Sequence, residues 1–486
     1  MTSDFPQFRP TLAPMGSRGL KETLKPLRQA TLSQIEVRLG PILPTGCLDN
    51  NPSKDHSRRR LLPLERTFWC WLWQILQGNT SCREVMKQLG MLFALQGRSL
   101  DENSSAYCQS RKLIRLSLVQ RIYAHIAQAA FRWVPSPTQL QGRRLKAMDG
   151  TSARLADTPP NQKAFPQPTS QNPGAGFPVL KIVASFCVAS GAILAHATGH
   201  LSTSEISLVA QLLNSLVAGD VLVVDRGFCN YALAVLLGRK KVDVIARVPT
   251  TVRHIDFRTG KRLASKDALF VWKKSKRPCP WMALEQWLGL PETLTVRILQ
   301  VRLTLPGSRV KTITLMTTLL DPILYPAREI AEAYRLRWRE EMCFDDLKTT
   351  LQMAHLKCLT PEMVQKELGL FLIAHNFLRC LMAQAAAQAQ IPIEQISFKG
   401  TLDGFRQCSI AMTQAKSKAI RIVVWEQFMA GLAADILPDR PGRIEPRAVK
   451  RIIKYPKLTT HRRLYKDRMS RNKRRRQATK RRNALN

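Results

Sequence analysis

The sequence predicts an α/β protein centred on a mixed sheet, and three observations predict it. Residues 143–248 alternate strand-like and helix-like patterns in the order β-β-β-α-β-α-β. Residues 249–325 then interrupt that order with further β-type runs, and a long helical region opens at Pro326. Three strands in a meander, a crossover helix and further strands make the plan of a ribonuclease-H-like fold.

Residues 1–60 form a basic, Pro-rich leader with one expected helix over 21–39, ended by Pro41 and Pro44. Residues 61–140 read as helical. LPLERTFWCWLWQILQG is aromatic and suits burial, and SCREVMKQLGMLFALQG is capped at Thr80-Ser81 and closed by Gly97. A third helix is expected over 105–131, carrying Arg111, Lys112, Arg115 and Arg121. This region is expected to bind DNA as a helix-turn-helix, with a plain helical bundle as the alternative.

Residues 141–248 supply the first part of the core. RRLKAMDGT reads as a short strand ending at Asp149-Gly150-Thr151, and VLKIVASFCVA and AILAHATGH as a hairpin turning at Ser190-Gly191. SEISLVAQLLNSLV is a helix with Ser204 as its cap; DVLVVDRGF is a buried strand finishing at Asp225; a helix over 231–237 and a strand over 243–248 follow. Residues 249–325 read as an inserted, mostly β subdomain built on LTVRILQVRLTL and KTITLMTTLL, with Lys273, Lys274, Lys276 and Arg277 among Trp272, Trp281 and Trp287. Basic residues interleaved with aromatics suit a flipped base stacked on a ring, although core packing is the commoner use of any one tryptophan. Residues 326–400 return to the core, 401–449 are mostly helical, and 450–486 form a tail too charged to fold alone, ending NKRRRQATKRRN.

Lys plus Arg outnumber Asp plus Glu by 75 to 35 among 486 residues, a formal charge of +40. Such an excess repels itself unless a polyanion offsets it, and nucleic acid is the polyanion expected. The eleven cysteines form no CxxC pair, so reduced thiols and a cytoplasmic setting are expected rather than zinc knuckles or a disulfide framework. No GxxxxGK[ST] loop points to nucleotide hydrolysis. The most apolar stretch, 368–382, is broken by His375, Asn376 and Arg379, which suits a buried helix better than a bilayer span.

The chemistry concentrates in YRLRWREEMCFDDLK, residues 334–348, which reads as one helix without Pro or Gly. At about 100° per residue, Tyr334, Arg337, Glu341 and Lys348 fall on one stripe roughly 60° wide. Glu340 lies about 100° off it, whereas Asp345 shares it and stays open as a helper. Glu341 on such a helix can meet Asp149 and Asp225 at neighbouring strand ends, while Asp220 sits at the wrong end of its strand. Three carboxylates can hold two divalent ions roughly 3.5–4 Å apart for an in-line phosphoryl displacement. Oxygen ligands without His or Cys favour Mg²⁺ over zinc, with Mn²⁺ as a substitute.

The motifs Asp149-Gly150-Thr151, Asp225-Arg226-Gly227-Phe228 and Tyr334-x2-Arg337-x3-Glu341-x6-Lys348 resemble the DDE signature of bacterial insertion-sequence transposases, in particular the insertion-sequence 4 family. The likeness runs from about residue 61 to 465, and includes ADTPPNQKAFPQP and EPRAVKRIIKYPKL. It implies a ribonuclease-H-like domain interrupted by a β-rich insertion. It also implies cut-and-paste transposition by a homodimer, with double-stranded DNA at transposon ends and target DNA as partners, in a cytoplasmic, nucleoid-associated setting and at no membrane. By position, Asp149, Asp225 and Glu341 would be catalytic metal ligands; Tyr334, Arg337, Lys348 and Arg226 would hold DNA; and Trp272 and Trp287 are the candidates for stacking a flipped base. Two other readings compete: a non-catalytic remnant or repressor that only binds DNA, and a structure-directed nuclease using the same metal site.

Overall fold

The computed structural model describes residues 42–48, 62–131 apart from 96 and 98, 134, 140–249, 255–302, 312–437 apart from 416, and 477. Most of the leader and nearly all of the basic tail lie outside the described residues. The chain divides into two compact units. One comprises residues up to Ile114 together with Lys399–Ile436, and the other Arg115–Phe398 together with residues from Leu437 on.

In the first unit, α1 (Leu64–Leu76), α2 (Cys82–Leu95) and α3 (Ser105–Leu113) pack around Cys70, Val85, Met86, Leu89, Phe93 and Tyr107. Two polar pairs inside this bundle join one helix to another, as burial favours. Tyr107 Oη donates to Gln74 Oε1 at 3.0 Å, and Thr67 Oγ1 lies 2.5 Å from Ser110 Oγ. Arg111 sits 4.3 Å from the centre of the Trp71 ring and donates to Gln74 Oε1, so this one of the four expected DNA-facing cations is turned into the bundle.

The single helix expected over 105–131 is two. Ile114 adopts extended angles (φ −63°, ψ 122°) with its side chain fully buried, and that kink ends α3. The chain restarts as α4 (Leu116–Phe131), which belongs to the second unit.

The second unit is built on one large mixed sheet. In chain order it contains β1 (Leu145–Leu155), α5 (Pro159–Ala164), β2 (Val179–Cys187), β3 (Ile193–His200), α6 (Glu205–Leu212), β4 (Val221–Val224), α7 (Tyr231–Arg239) and β5 (Asp243–Arg247). Then come β6 (Lys261–Ala264), β7 (Asp267–Lys273), α8 (Leu284–Leu288), β8 (Thr293–Arg302), β9 (Thr312–Thr317), α9 (Ala327–Arg335), α10 (Arg339–Asp345), β10 (His355–Leu356) and α11 (Pro361–Ala389). The strands lie in the order β3-β2-β1-β4-β5-β9-β8-β7-β6, with β10 beside β1. β1, β4 and β5 are parallel to one another, and the other pairings in that row are antiparallel.

The expected insertion does not form a sheet of its own. Its strand β9 pairs with β5, so β6–β9 extend the core sheet. The reason is physical: β5 would otherwise present an edge of unpaired backbone groups, and pairing removes it. One face of the sheet carries Met148, Leu222, Val224, Val244, Val296 and Ile298 against α6 and α7. The other carries Ala147, Val221, Val223, Ile245, Leu299 and Leu315 against α9.

Helix α11 is capped by Thr360, whose side chain accepts from Met363 N–H, and it buries most of its length. Among the described residues it is the one helix long and apolar enough to cross a membrane, yet 89% of its most apolar window is buried in the protein. Asn376 explains one of the polar breaks in its sequence: its amide clasps Ile193, accepting from the N–H and donating to the carbonyl, both at 2.8 Å. Gly369 marks where α11 meets α4, since a Cβ there would stand 2.4 Å from Val119 Cγ1. Gly369→Ala should gain about 1 kcal/mol of helix propensity but lose about 1–3 kcal/mol to overpacking against a stiff, buried valine. The expected outcome is a lower melting temperature; a higher one would show that α4 and α11 can part at no cost.

The chain then returns to the first unit with α12 (Phe398–Gln414) and α13 (Lys418–Ala434). Arg406 of α12 donates through Nε to the Leu76 carbonyl at 2.7 Å, satisfying an end group of α1 that has no partner within its own helix.

Candidate active site

Alternation along β1 puts Leu145, Ala147, Asp149 and Thr151 on one face, and along β4 it puts Val221, Val223 and then Asp225 on the same face. The two strands are parallel, with Met148 opposite Val224 as their last pair. Asp149 and Asp225 are the next residue on each, so they stand side by side where the β1–β4 pairing ends. β1 does not end there, as expected from sequence. It runs on to Leu155 because β2 continues to pair with it, Gly150 opposite Val183 and Thr151 opposite Ile182.

The face bearing the two aspartates is the one that α9 covers, through Ile330, Ala333 and Tyr334, joined by Leu336 just after it. The expected single helix over 334–348 keeps right-handed helical angles at each junction but changes pitch. α9 tightens into a 3₁₀ turn at Leu336–Trp338, α10 follows, and the chain widens into a π turn at Asp346–Thr350. These changes alter the stripe that even spacing predicts. Glu341 is half exposed and receives Arg337 Nη2 at 3.3 Å. Lys348, within the widened turn, reaches β1 and donates to Thr151 Oγ1 at 3.1 Å, on the aspartate face.

Arg337 departs from the expectation of a phosphate-facing cation. It is buried, lies within 6 Å of the Tyr334 and Trp338 ring centres, and pairs with Glu340 through Nη1. Tyr334 is also buried, at 3% exposure. Arg226, next to Asp225, is exposed. Asp345 is exposed and accepts from Thr349 Oγ1 at 2.7 Å.

The electrostatics are those of crowded acids. Burial pushes the Asp149 carboxyl above its ordinary pKa, Glu205 and Asp225 add repulsion, and the Gly150 N–H and Arg337 oppose the rise. Burial likewise pushes Glu340 well up, with Asp149 and Glu341 adding to it against the pull of Arg337. The Tyr334 hydroxyl is pushed up to about 12, by burial first. The Asp225 side chain does not cap the turn that follows it, which sets aside the simplest structural use of an Asp closing a strand. Among the described residues no group of three or more His, Cys, Asp or Glu is close enough to hold a metal ion. Asp149 and Asp225 are thus adjacent, with Glu341 on the helix over their face, but the three do not close into a ready cage.

The insertion tryptophans fare differently. Trp287 is 5% exposed and packs with Ala232, Val235, Cys279 and Leu290, so it is a core residue. Alternation along β7 turns Trp272 toward the sheet core, where it is half buried. Sequence reasoning missed Trp338, which is 43% exposed and lies three residues before Glu341 on the same helical path. It also missed Glu205, whose carboxylate lies over Gly150; a Cβ on that glycine would be 2.7 Å from Glu205 Oε1. An acid in the first turn of a helix is common for dipole reasons alone, so nothing in its spacing singled Glu205 out.

The profile described as Transposase DDE domain matches residues 140–377, a span that starts just before β1 and takes in Asp149, Asp225 and Glu341. Transposase InsG for insertion sequence element IS4, from Escherichia coli (strain K12), is 28% identical over 430 residues, covering 87% of this chain and 93% of that protein. The chain is a DDE transposase, similar over most of its length to the insertion-sequence 4 transposase. As a DDE transposase it is an enzyme that cleaves DNA and transfers strands, a class that acts with divalent metal ions. Among solved structures, the transposase aligns with a piggyBac transposase in a synaptic complex with hairpin DNA at a TM-score of 0.39, with 10% identity over 87% of this chain and 85% of that one.

Proposed function

We propose that this transposase uses Asp149, Asp225 and Glu341 to hold two Mg²⁺ ions, cleaves DNA at the terminal inverted repeats of its own element, and directs the freed 3′-hydroxyl at target DNA in a cut-and-paste reaction. The observation that carries the reading is the placement of Asp149 and Asp225 side by side on neighbouring strands β1 and β4, on the face that α9 covers, with Glu341 farther along the same helical path on α10. The strand order β3-β2-β1-β4-β5, antiparallel then parallel, supports a ribonuclease-H-like core.

The donor set suits such ions. It is all oxygen, which hard divalent cations prefer. Burial raises the Asp149 and Glu340 carboxyls first, and neighbouring acids add to the rise. Glu341 is half exposed and held by one long contact, so a rotamer change can bring it toward the aspartates. Divalent ions bound there lower the pKa of an attacking water or 3′-hydroxyl and stabilise the leaving oxygen.

The chain's own groups do the positioning. Lys348, oriented by Thr151, offers a cation on the aspartate face for a phosphate next to the cleaved bond, and Arg226 offers another at the end of β4. Tyr334 and Arg337 support the helix from beneath. The net charge of +40 supplies attraction for the DNA backbone. Action at two transposon ends fits a homodimer, and a cytoplasmic, nucleoid-associated enzyme fits the substrate.

Incubating the full chain with a duplex that carries the end of its own element and its flank tests the reading. Nicks at the element boundary are expected with Mg²⁺ or Mn²⁺, and none after chelation by EDTA. Equal nicking in EDTA would overturn the metal assignment. Strand transfer of a pre-cleaved end into a plasmid separates a transposase from a structure-directed nuclease.

A further inference from the structure

We propose that Glu340, which lies outside the motif spacing, is a positioning residue that occupies the Arg337 guanidinium and so leaves Glu341 free to turn toward a divalent cation. The inference rests on the reading that Glu341 is a metal ligand.

One guanidinium faces two carboxylates, three and four residues ahead of it on the helix, and it treats them unequally. Glu340 pairs with Nη1 and its side chain is wholly buried; Glu341 meets Nη2 at 3.3 Å and its side chain is 48% exposed. The Arg337 side chain is itself only 7% exposed. A charge that deep requires a counter-charge, because an uncompensated buried ion costs far more than the pair returns. Glu340 meets that need from inside the protein. Without it, the carboxylate within reach of Arg337 on this helix is Glu341, and a tight i,i+4 pair would commit Glu341 to the guanidinium in place of a cation.

Glu340 therefore acts through Arg337 on a third residue, as a group behind a metal ligand sets that ligand's orientation. The arrangement also gives Arg337 a role other than phosphate binding. It is the inward anchor of the helix, and its charge is committed before DNA arrives.

The test is Mn²⁺ binding to the full chain, read from the electron paramagnetic resonance of free Mn²⁺ and so independent of turnover. Glu340→Gln should weaken Mn²⁺ binding about 10–100-fold, the range typical for groups that orient metal ligands. The Mn²⁺ concentration for half-maximal end nicking should rise in parallel, and metal-free DNA binding should not change. The double variant Arg337→Met with Glu340→Met removes both buried charges, and with them the cation that would capture Glu341. It should restore Mn²⁺ affinity to within about 3-fold of the parent, a small loss beside that range. A purely structural role for Glu340 predicts no such restoration. Wild-type Mn²⁺ affinity in Glu340→Gln, or failure of the double variant to recover it, would overturn the proposal. Glu341→Gln keeps the two claims apart: if it binds Mn²⁺ as tightly as the parent, the underlying ligand assignment falls instead.

Discussion

Asp149→Asn, Asp225→Asn and Glu341→Gln should each lower nicking at the transposon end by on the order of 10³-fold, while leaving binding to that end within about 3-fold of the parent. The size follows from what a carboxylate ligand supports. Metal ions that stabilise the charge of a phosphoryl transition state contribute several kcal/mol, and each 1.36 kcal/mol is about tenfold in rate. The amide substitutions keep shape and remove charge, so the sheet and the helix over it should survive. Asp149 carries its carboxyl among Glu205, Asp225 and Arg337, and loss of one negative charge there should relieve repulsion rather than unfold the strand. Single-turnover nicking with saturating protein, beside a gel-shift titration, provides both readouts. A variant that nicks within about tenfold of the parent would remove that residue from the catalytic set. A non-catalytic repressor, by contrast, predicts no nicking from the parent chain.

The second large effect concerns stability. Arg297 on β8 is 1% exposed, and it donates to Asp267 of β7 through Nε at 2.8 Å and Nη2 at 2.5 Å. Its remaining Nη1 donates to the Tyr325 carbonyl at 2.7 Å, one residue before the Pro326 that caps α9. Asp267→Ala should destabilise the protein by about 3–5 kcal/mol, the usual cost of breaking a buried pair and leaving one ion uncompensated. Asp267→Leu with Arg297→Met should cost much less, since buried pairs are replaceable by apolar groups of similar volume. Equilibrium denaturation in urea measures both. A loss below about 1 kcal/mol for Asp267→Ala, the level of an exposed pair, would mean that water or another group reaches Arg297. Because Arg297 ties the β8 strand to the start of α9, which leads into the helix bearing Glu341, the single variant should also loosen the approach of that segment to the aspartates.

Much of this was legible before the structure, for identifiable reasons. Asp149 and Asp225 stood out because each follows a short strand-like run, and parallel pairing of those two runs brings the residues after them together. The capping role of Ser204 was visible because a small hydroxyl before a helical pattern has few other uses, and its side chain accepts from Ser207 N–H. Tertiary forces hid the rest. The extension of β1 past Asp149 depends on β2, a partner that no local pattern announces. The insertion read as a separate subdomain because its strands alternate like any others, whereas the bare edge of β5 decides where they go. Spacing put Glu340 off the stripe and treated it as a bystander; burial made it the partner of Arg337. Trp287 looked like a stacking platform because its segment also carries Lys273, Lys274, Lys276 and Arg277, yet Lys274 caps the Leu290 carbonyl and the ring fills a core.

The tightened turn at Leu336–Trp338 and the widened turn at Asp346–Thr350 have opposite effects on winding. A 3₁₀ turn uses fewer residues per revolution than an α-helix and a π turn uses more, so rotation gained before Glu341 is partly given back before Lys348. The azimuth between acid and base is therefore a property of the backbone path, and counting positions along the sequence understates it. Evolution can shift Lys348 relative to Glu341 by relaxing either irregular turn, with every side chain unchanged, which makes the pitch of this segment itself a heritable variable.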